Sequence, residues 1–197
     1  MTATAQTDYQ YTEQEYFDLL ATSDFKYEFH DGRIKMMAGG KRAHNRIQTN
    51  TLVALSNRKG DCEVYGSETA VYIPNYNRYY FPDLTALCGQ YDATDEGGIE
   101  RILNPQLLIE VLSKSTAKKD RSEKFNAYKT LVSFKEYVLI DSLKAIVETY
   151  YREENGLWRI GNYYRMDQEV EFITLGVSIP MKTIYEGVML EEEEDHI

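Results

Sequence analysis

Long apolar runs are missing from this 197-residue chain. No stretch approaches the roughly 20 residues a membrane-spanning helix needs. Cysteine is scarce: Cys62 and Cys88 are the whole complement, too few and too far apart to make a zinc motif. The first ten residues are polar and lack the basic start and apolar stretch of a secretion signal. Together these absences predict a cytoplasmic protein whose two cysteines form no disulfide. No serine stands beside a partnered base, no segment repeats, and no linker divides the chain. We expect one domain over residues 1–190, followed by an acidic, solvated tail at 191–197 that contains Glu191-Glu192-Glu193-Glu194-Asp195.

What is present is ordinary in amount: 43% hydrophobic and 27% charged residues, enough for a sizeable core. The net charge of −10 argues against a nucleic-acid footprint covering the whole surface. The basic residues are unevenly spread, however. Lys114, Lys118, Lys119, Arg121, Lys124 and Lys129 fall in one short stretch, and Lys41, Arg42 and Arg46 in another. Either stretch can meet phosphate, or be a solvated helix face.

Thr12-Glu13-Gln14-Glu15 is a capping box, which predicts a helix to about Ala21. Asp31-Gly32, between Phe25–His30 and Arg33–Met37, predicts a tight hairpin. Ala43 to Ser56 has helical spacing. Short strands are expected at 63–65 and 68–73, and a longer one at Tyr79–Cys88. A polar loop with Gly97-Gly98 runs from Gly89 to Pro105. A strand over 107–112, a helix over 118–131 and a strand over 136–140 follow. A meander at 145–151, 157–160 and 169–174 completes the order. This pattern predicts an α/β fold with a mixed sheet and helices packed on it.

Two of the strands carry one acid each. Glu110 interrupts Leu107-Leu108-Ile109-Glu110-Val111-Leu112, and Asp83 follows Pro82 in Phe81-Pro82-Asp83-Leu84-Thr85-Ala86-Leu87. Carboxylates are almost never fully buried without a partner. If the strands are neighbours, Asp83 and Glu110 converge on one point, where a divalent cation relieves their repulsion. Lys124 is the nearby cation, and Asp120, four residues before it on one helix face, can hold it.

These residues resemble the PD-(D/E)xK pattern of restriction-endonuclease-like folds, and most closely its Uma2 (DUF820) branch, abundant in cyanobacteria. The resemblance rests on Tyr27-Glu28 with Asp31-Gly32, His44, Pro82-Asp83, Pro105 with Glu110 through Thr116, Asp120-Arg121 with Lys124 and Tyr128, and Glu136-Tyr137. It implies a restriction-endonuclease-like core with a central mixed sheet flanked by helices and an extra antiparallel meander. It further implies an endonuclease acting on DNA with Mg²⁺ or Mn²⁺ held by Asp83 and Glu110, and a homodimeric assembly. Glu28 and His44 become accessory site residues. One position departs from the superfamily pattern: Leu112 stands where the lysine belongs. In this branch Lys124, on the following helix, takes that role, with Lys114 as its rival.

Each residue also has a plainer reading. Asp83 can cap a turn or pair at a strand end. Glu110 can form a structural ion pair with Lys124 or Arg121, and His44 can be an ordinary helix-face residue. A nuclease fold kept as an inactive binding or regulatory module is the alternative function.

Overall fold

The Asp31-Gly32 turn closes a hairpin between β1 (Tyr27–His30) and β2 (Arg33–Met36). Both turn residues have positive φ, 46° and 85°, the backbone that such a two-residue turn requires. The capping box forms as expected: the Thr12 hydroxyl accepts from Glu15 N, and the Glu15 carboxylate accepts from Thr12 N. It opens α1 (Glu13–Thr22), whose Tyr16 and Phe17 pack on Phe29 and Tyr79. The structure, a computed structural model, describes residues 9–37, 39–58, 60–96 and 99–191. Gly97-Gly98 and most of the acidic tail, residues 192–197, lie outside the described residues. Among those described, no helix is long and apolar enough to cross a membrane.

The remaining elements are α2 (Arg42–Ser56), β3 (Cys62–Gly66), β4 (Ala70–Ile73), β5 (Arg78–Tyr80), β6 (Leu84–Cys88), β7 (Ala93–Glu96), β8 (Ile99–Ile102), β9 (Leu107–Leu112) and α3 (Ala117–Lys119). After them come a π-helical turn (Asp120–Lys124), α4 (Phe125–Tyr128), β10 (Glu136–Asp141), β11 (Val147–Arg152), β12 (Trp158–Tyr163), β13 (Glu169–Phe172), β14 (Val177–Pro180) and α5 (Met181–Ile184). Two six-stranded sheets result, ordered β2-β1-β5-β4-β8-β7 and β12-β11-β10-β9-β6-β3. The second is mixed: β9 and β10 run parallel, the other pairs antiparallel.

Every residue of β9 is buried. Ile109 and Val111 face α2, with Ile47, Ala54 and Leu55. Leu108 and Leu112 face the other way, onto Tyr80, Tyr128, Phe134 and Tyr137. That second layer, between the two sheets and under α4, holds the Glu110 side chain.

Four expectations need correction. The strand expected over Tyr79–Cys88 is two strands in different sheets, because Pro82 has no N–H to donate to a ladder and the chain crosses between sheets there. The polar loop after Gly89 contains the β7–β8 hairpin. The segment 169–174 does not extend the meander; its strand pairs with β14 in a separate two-stranded sheet. Finally, Cys62 and Cys88 are disulfide-bonded. They face each other in the β3–β6 register, with Cα atoms 4.1 Å apart, a closeness that separation in sequence did not reveal.

Candidate active site

The expected neighbourhood of the two acidic strands is realised. β6 and β9 pair antiparallel with Leu84 opposite Ile109, and one step further along that register Asp83 comes opposite Glu110. Asp83 lies just before β6, at the crossing between sheets, rather than within a strand. Its Oδ2 accepts from Val111 N at 2.7 Å and from the His44 ring, whose Nε2 is 3.2 Å away. Gln48, one turn after His44 on α2, donates its amide to the Asp83 carbonyl at 3.0 Å. Asp83 thus also has a structural role, although not as a turn cap: one oxygen holds the backbone of the neighbouring strand.

Glu110 is buried, and its Oε1 accepts from Lys124 Nζ at 2.8 Å and from the Tyr128 hydroxyl at 2.9 Å. The helix carrying these donors is not the regular one expected over 118–131. It widens into a π turn at Asp120–Lys124 and ends at Tyr128. The Tyr137 hydroxyl reaches from β10 to the Asp120 carbonyl at 3.1 Å; a side chain inserted into the helical ladder disturbs its regular bonding. Such turns are frequent at functional sites.

Lys124 Nζ is the hub. Besides Glu110 it meets Asp120 Oδ1 at 3.4 Å and Glu28 Oε1 at 3.6 Å. Glu28 reaches it from the face of β1 opposite Phe29, as strand alternation predicts. Glu28 is itself held by Lys119 Nζ at 2.6 Å and His30 Nε2 at 3.0 Å. The structure thus brings Glu110, Glu28 and Asp120 together on Lys124, and pairs Asp83 with His44 one register step across from Glu110. Lys114 is exposed, and no ion pair links it to the cluster. Leu112 is buried in the apolar layer. Lys119 and His30 were not singled out in the sequence, although His30 stands two residues from Glu28 on the same strand face.

The charge states follow from burial and from neighbours. Burial pushes the Glu110 carboxyl up to about 8; Lys124 opposes the rise, and Asp120 and Asp83 add to it. For Lys124, burial favours the neutral amine, but Glu110, Glu28 and Asp120 outweigh it and hold the ammonium protonated. These directions agree because carboxylates outnumber the cations among them, so the surplus negative charge is relieved at Glu110. Burial also raises Glu28, but His30, Lys124 and Lys119 overcome it and keep this carboxyl well below the usual range. His44 is pulled down by burial and raised more by its bond to Asp83, for a net increase.

The donor set suits a hard cation. The hydrogen bonds of Asp83 and Glu110 use Oδ2 and Oε1, which leaves Oδ1 and Oε2 as carboxylate oxygens for a ligand. Asp120 Oδ1 is buried without a hydrogen bond. Among the described residues no three His, Cys, Asp or Glu side chains converge as a complete ligand set. A cation here would have the Asp83 and Glu110 carboxylates as its protein ligands, and Mg²⁺ is an ion that can complete such a shell with water and phosphate oxygens.

The profile of the Uma2 family, described as "Putative restriction endonuclease", matches residues 13–182. Two proteins of Synechocystis sp. strain PCC 6803 are similar in sequence. Slr1290 is 32% identical over 177 residues, covering 89% of this chain and 91% of that protein. Sll1609 is 31% identical over 163 residues, covering 82% and 92%. In structure the chain resembles a "putative nuclease belonging to DUF820" from Anabaena variabilis ATCC 29413, with a TM-score of 0.68 at 14% identity. That match covers 88% of this chain and 98% of that one, and it bears out the α/β nuclease-like fold. From the extent of the profile match and the two full-length relatives, the chain belongs to the Uma2 family.

Proposed function

We propose that the protein is a metal-dependent endonuclease that hydrolyses DNA phosphodiester bonds. The observation that carries this reading is the opposition of Asp83 and Glu110 across the β6–β9 register, with Lys124 Nζ 2.8 Å from Glu110. Asp83 Oδ1 and Glu110 Oε2 would hold Mg²⁺ (or Mn²⁺). When bound, that ion supplies positive charge to the phosphate and acidifies a water.

The chain's own residues do the rest. Lys124, kept protonated by three carboxylates, is a hydrogen-bond donor and a fixed positive charge rather than a base. It orients water and offsets the phosphate charge that builds in the transition state. Glu28 and Asp120 position Lys124. His44 is anchored through Nε2 to Asp83, where an imidazole can carry a proton near neutral pH. A homodimer would present two such sites to the two strands of a duplex.

One observation favours the inactive-module reading instead: the Lys124 ammonium already lies 2.8–3.6 Å from Glu110, Asp120 and Glu28 and offsets part of their charge. The test is nicking of supercoiled plasmid with Mg²⁺ or Mn²⁺ by wild type, Asp83→Asn, Glu110→Gln and Lys124→Met. We expect metal-dependent cleavage that each substitution reduces at least 100-fold, a typical loss for a single electrostatic or acid–base group. Equal, negligible cleavage by all four proteins rejects the nuclease. Sedimentation of the wild type checks the dimer.

A further inference from the structure

Between Asp31 and Asp61 the chain has no Asp or Glu, while Lys and Arg recur through it, in a protein of net charge −10. Helix α2 lies inside this stretch. Arg42, Asn45, Arg46 and Thr49 fall at i, i+3, i+4 and i+7, all exposed, and line an open groove of about 430 Å³. Several cations elsewhere are matched: Lys26 with Glu68, Arg78 with Glu123, Lys119 with Glu28, Arg121 with Glu148. Lys41, Arg42 and Arg46 make no ion pair among the described residues. A second groove, at Lys129, Lys135 and Arg152, also holds Glu153 and Glu154, so most of its positive charge is offset.

The position of the α2 groove matters as much as its charge. His44 and Gln48 leave the same helix toward Asp83. Asn45 and Thr49 are their immediate successors, about 100° further round a helix of 3.6 residues per turn. A chain lying in the groove therefore runs alongside the edge of the candidate active site. Two unpaired guanidinium groups one turn apart form a donor pair that suits successive phosphates; the Asn45 amide donates to Gly40 O and keeps its second N–H, while the Thr49 hydroxyl is committed to Asn45 O.

We propose that the outer face of α2 binds the sugar–phosphate backbone of DNA, with Arg42 and Arg46 each contacting a phosphate and the second Asn45 amide N–H donating to an oxygen between them. This inference rests on the nuclease reading for the identity of its ligand but not on catalysis. It assigns the surface that holds the substrate beside Asp83 and Glu110. The contact is to backbone, so it carries no base specificity.

The test is fluorescence anisotropy of a labelled DNA duplex in EDTA, where nothing is cleaved, over a series of salt concentrations. Each lost phosphate contact reduces the slope of log K against log [salt] by about 0.9. Arg42→Ala/Arg46→Ala is expected to bind more weakly and to lower the slope by about 1.8. Arg42→Lys/Arg46→Lys keeps the charge and retains most of it. Lys129→Ala/Lys135→Ala removes the same net charge at the other groove and leaves the slope at the wild-type value. Circular dichroism and melting of each variant establish that it is folded; these side chains are exposed, so folding is expected to survive. A wild-type slope in the Arg42→Ala/Arg46→Ala variant overturns the proposal, as does failure of the wild type to bind the duplex at low salt. If the slope changes as expected while wild type never cleaves with metal, the nuclease reading falls and this surface stands.

Discussion

Replacing Lys124 with Met removes the one buried cation that touches Glu110, Asp120 and Glu28 together, at 2.8, 3.4 and 3.6 Å. Methionine matches the stem in length, so packing against Tyr80 and Tyr128 is largely kept. The loss is then mainly electrostatic. Breaking a buried ion pair by removing one partner costs about 3–5 kcal/mol, because the other charge stays buried. For a chain of this size each kcal/mol lowers Tm by about 2–4 °C, so the expected fall is about 6–20 °C. The double variant Glu110→Gln/Lys124→Met removes the most deeply buried carboxylate as well, while leaving an oxygen to accept from Tyr128. It should be more stable than Lys124→Met alone. The assay is thermal unfolding of the two single variants and the double, read as a cycle of four proteins. If Lys124→Met melts within 2 °C of wild type, or if the two substitutions are additive, Lys124 is not the charge that holds this cluster together.

His44 gains in pKa on folding through its bond to Asp83. Its contribution is therefore full below its unfolded value and fades as pH rises through the higher folded value; the Tm gap between wild type and His44→Gln should be wide at pH 5.5 and narrow at pH 9. Glu28 has the opposite sign: its carboxyl is lowered in the folded state, so the advantage of wild type over Glu28→Gln should be full at neutral pH and shrink progressively as pH falls below about 4.5 toward the much lower folded value. The Cys62–Cys88 bond closes a loop with a sequence separation of 26, for which loop entropy gives about 3.5 kcal/mol; dithiothreitol should lower Tm by about 7–14 °C, and an unchanged Tm contradicts the bond. Glu136 is buried and accepts from Ile173 N and Thr174 N at 2.9 and 2.7 Å, so Glu136→Ala should speed hydrogen exchange at those two amides.

Local chemistry was legible in the sequence wherever it acts locally. The Thr12–Glu15 box and the Asp31-Gly32 turn are complete within a few residues, and both formed where expected. Glu110 announced itself because a charge inside an apolar strand has few explanations. What depends on distant partners was harder to read. Pro82 marks a strand break, but only the second sheet shows where the chain goes afterwards. The cysteines meet through the β3–β6 register, which neither segment encodes alone. Lys119 looked like any exposed helix lysine until β1 placed Glu28 2.6 Å from it. The π turn at Asp120–Lys124 has its Asp120 carbonyl bonded by Tyr137 from β10, a contact that a helical pattern read along 118–131 could not reveal.

Asp83 does two jobs with two oxygens. Oδ2 stitches the chain crossing to Val111 N, and Oδ1 is the oxygen proposed to meet a metal. A descendant of this fold that lost cleavage altogether would still need the stitch. Retention of this aspartate in a relative therefore does not identify a working enzyme. Alanine at this position removes the stitch along with the ligand, so a loss of activity in Asp83→Ala mixes two causes. Asparagine, which keeps an oxygen for the Val111 amide, separates them.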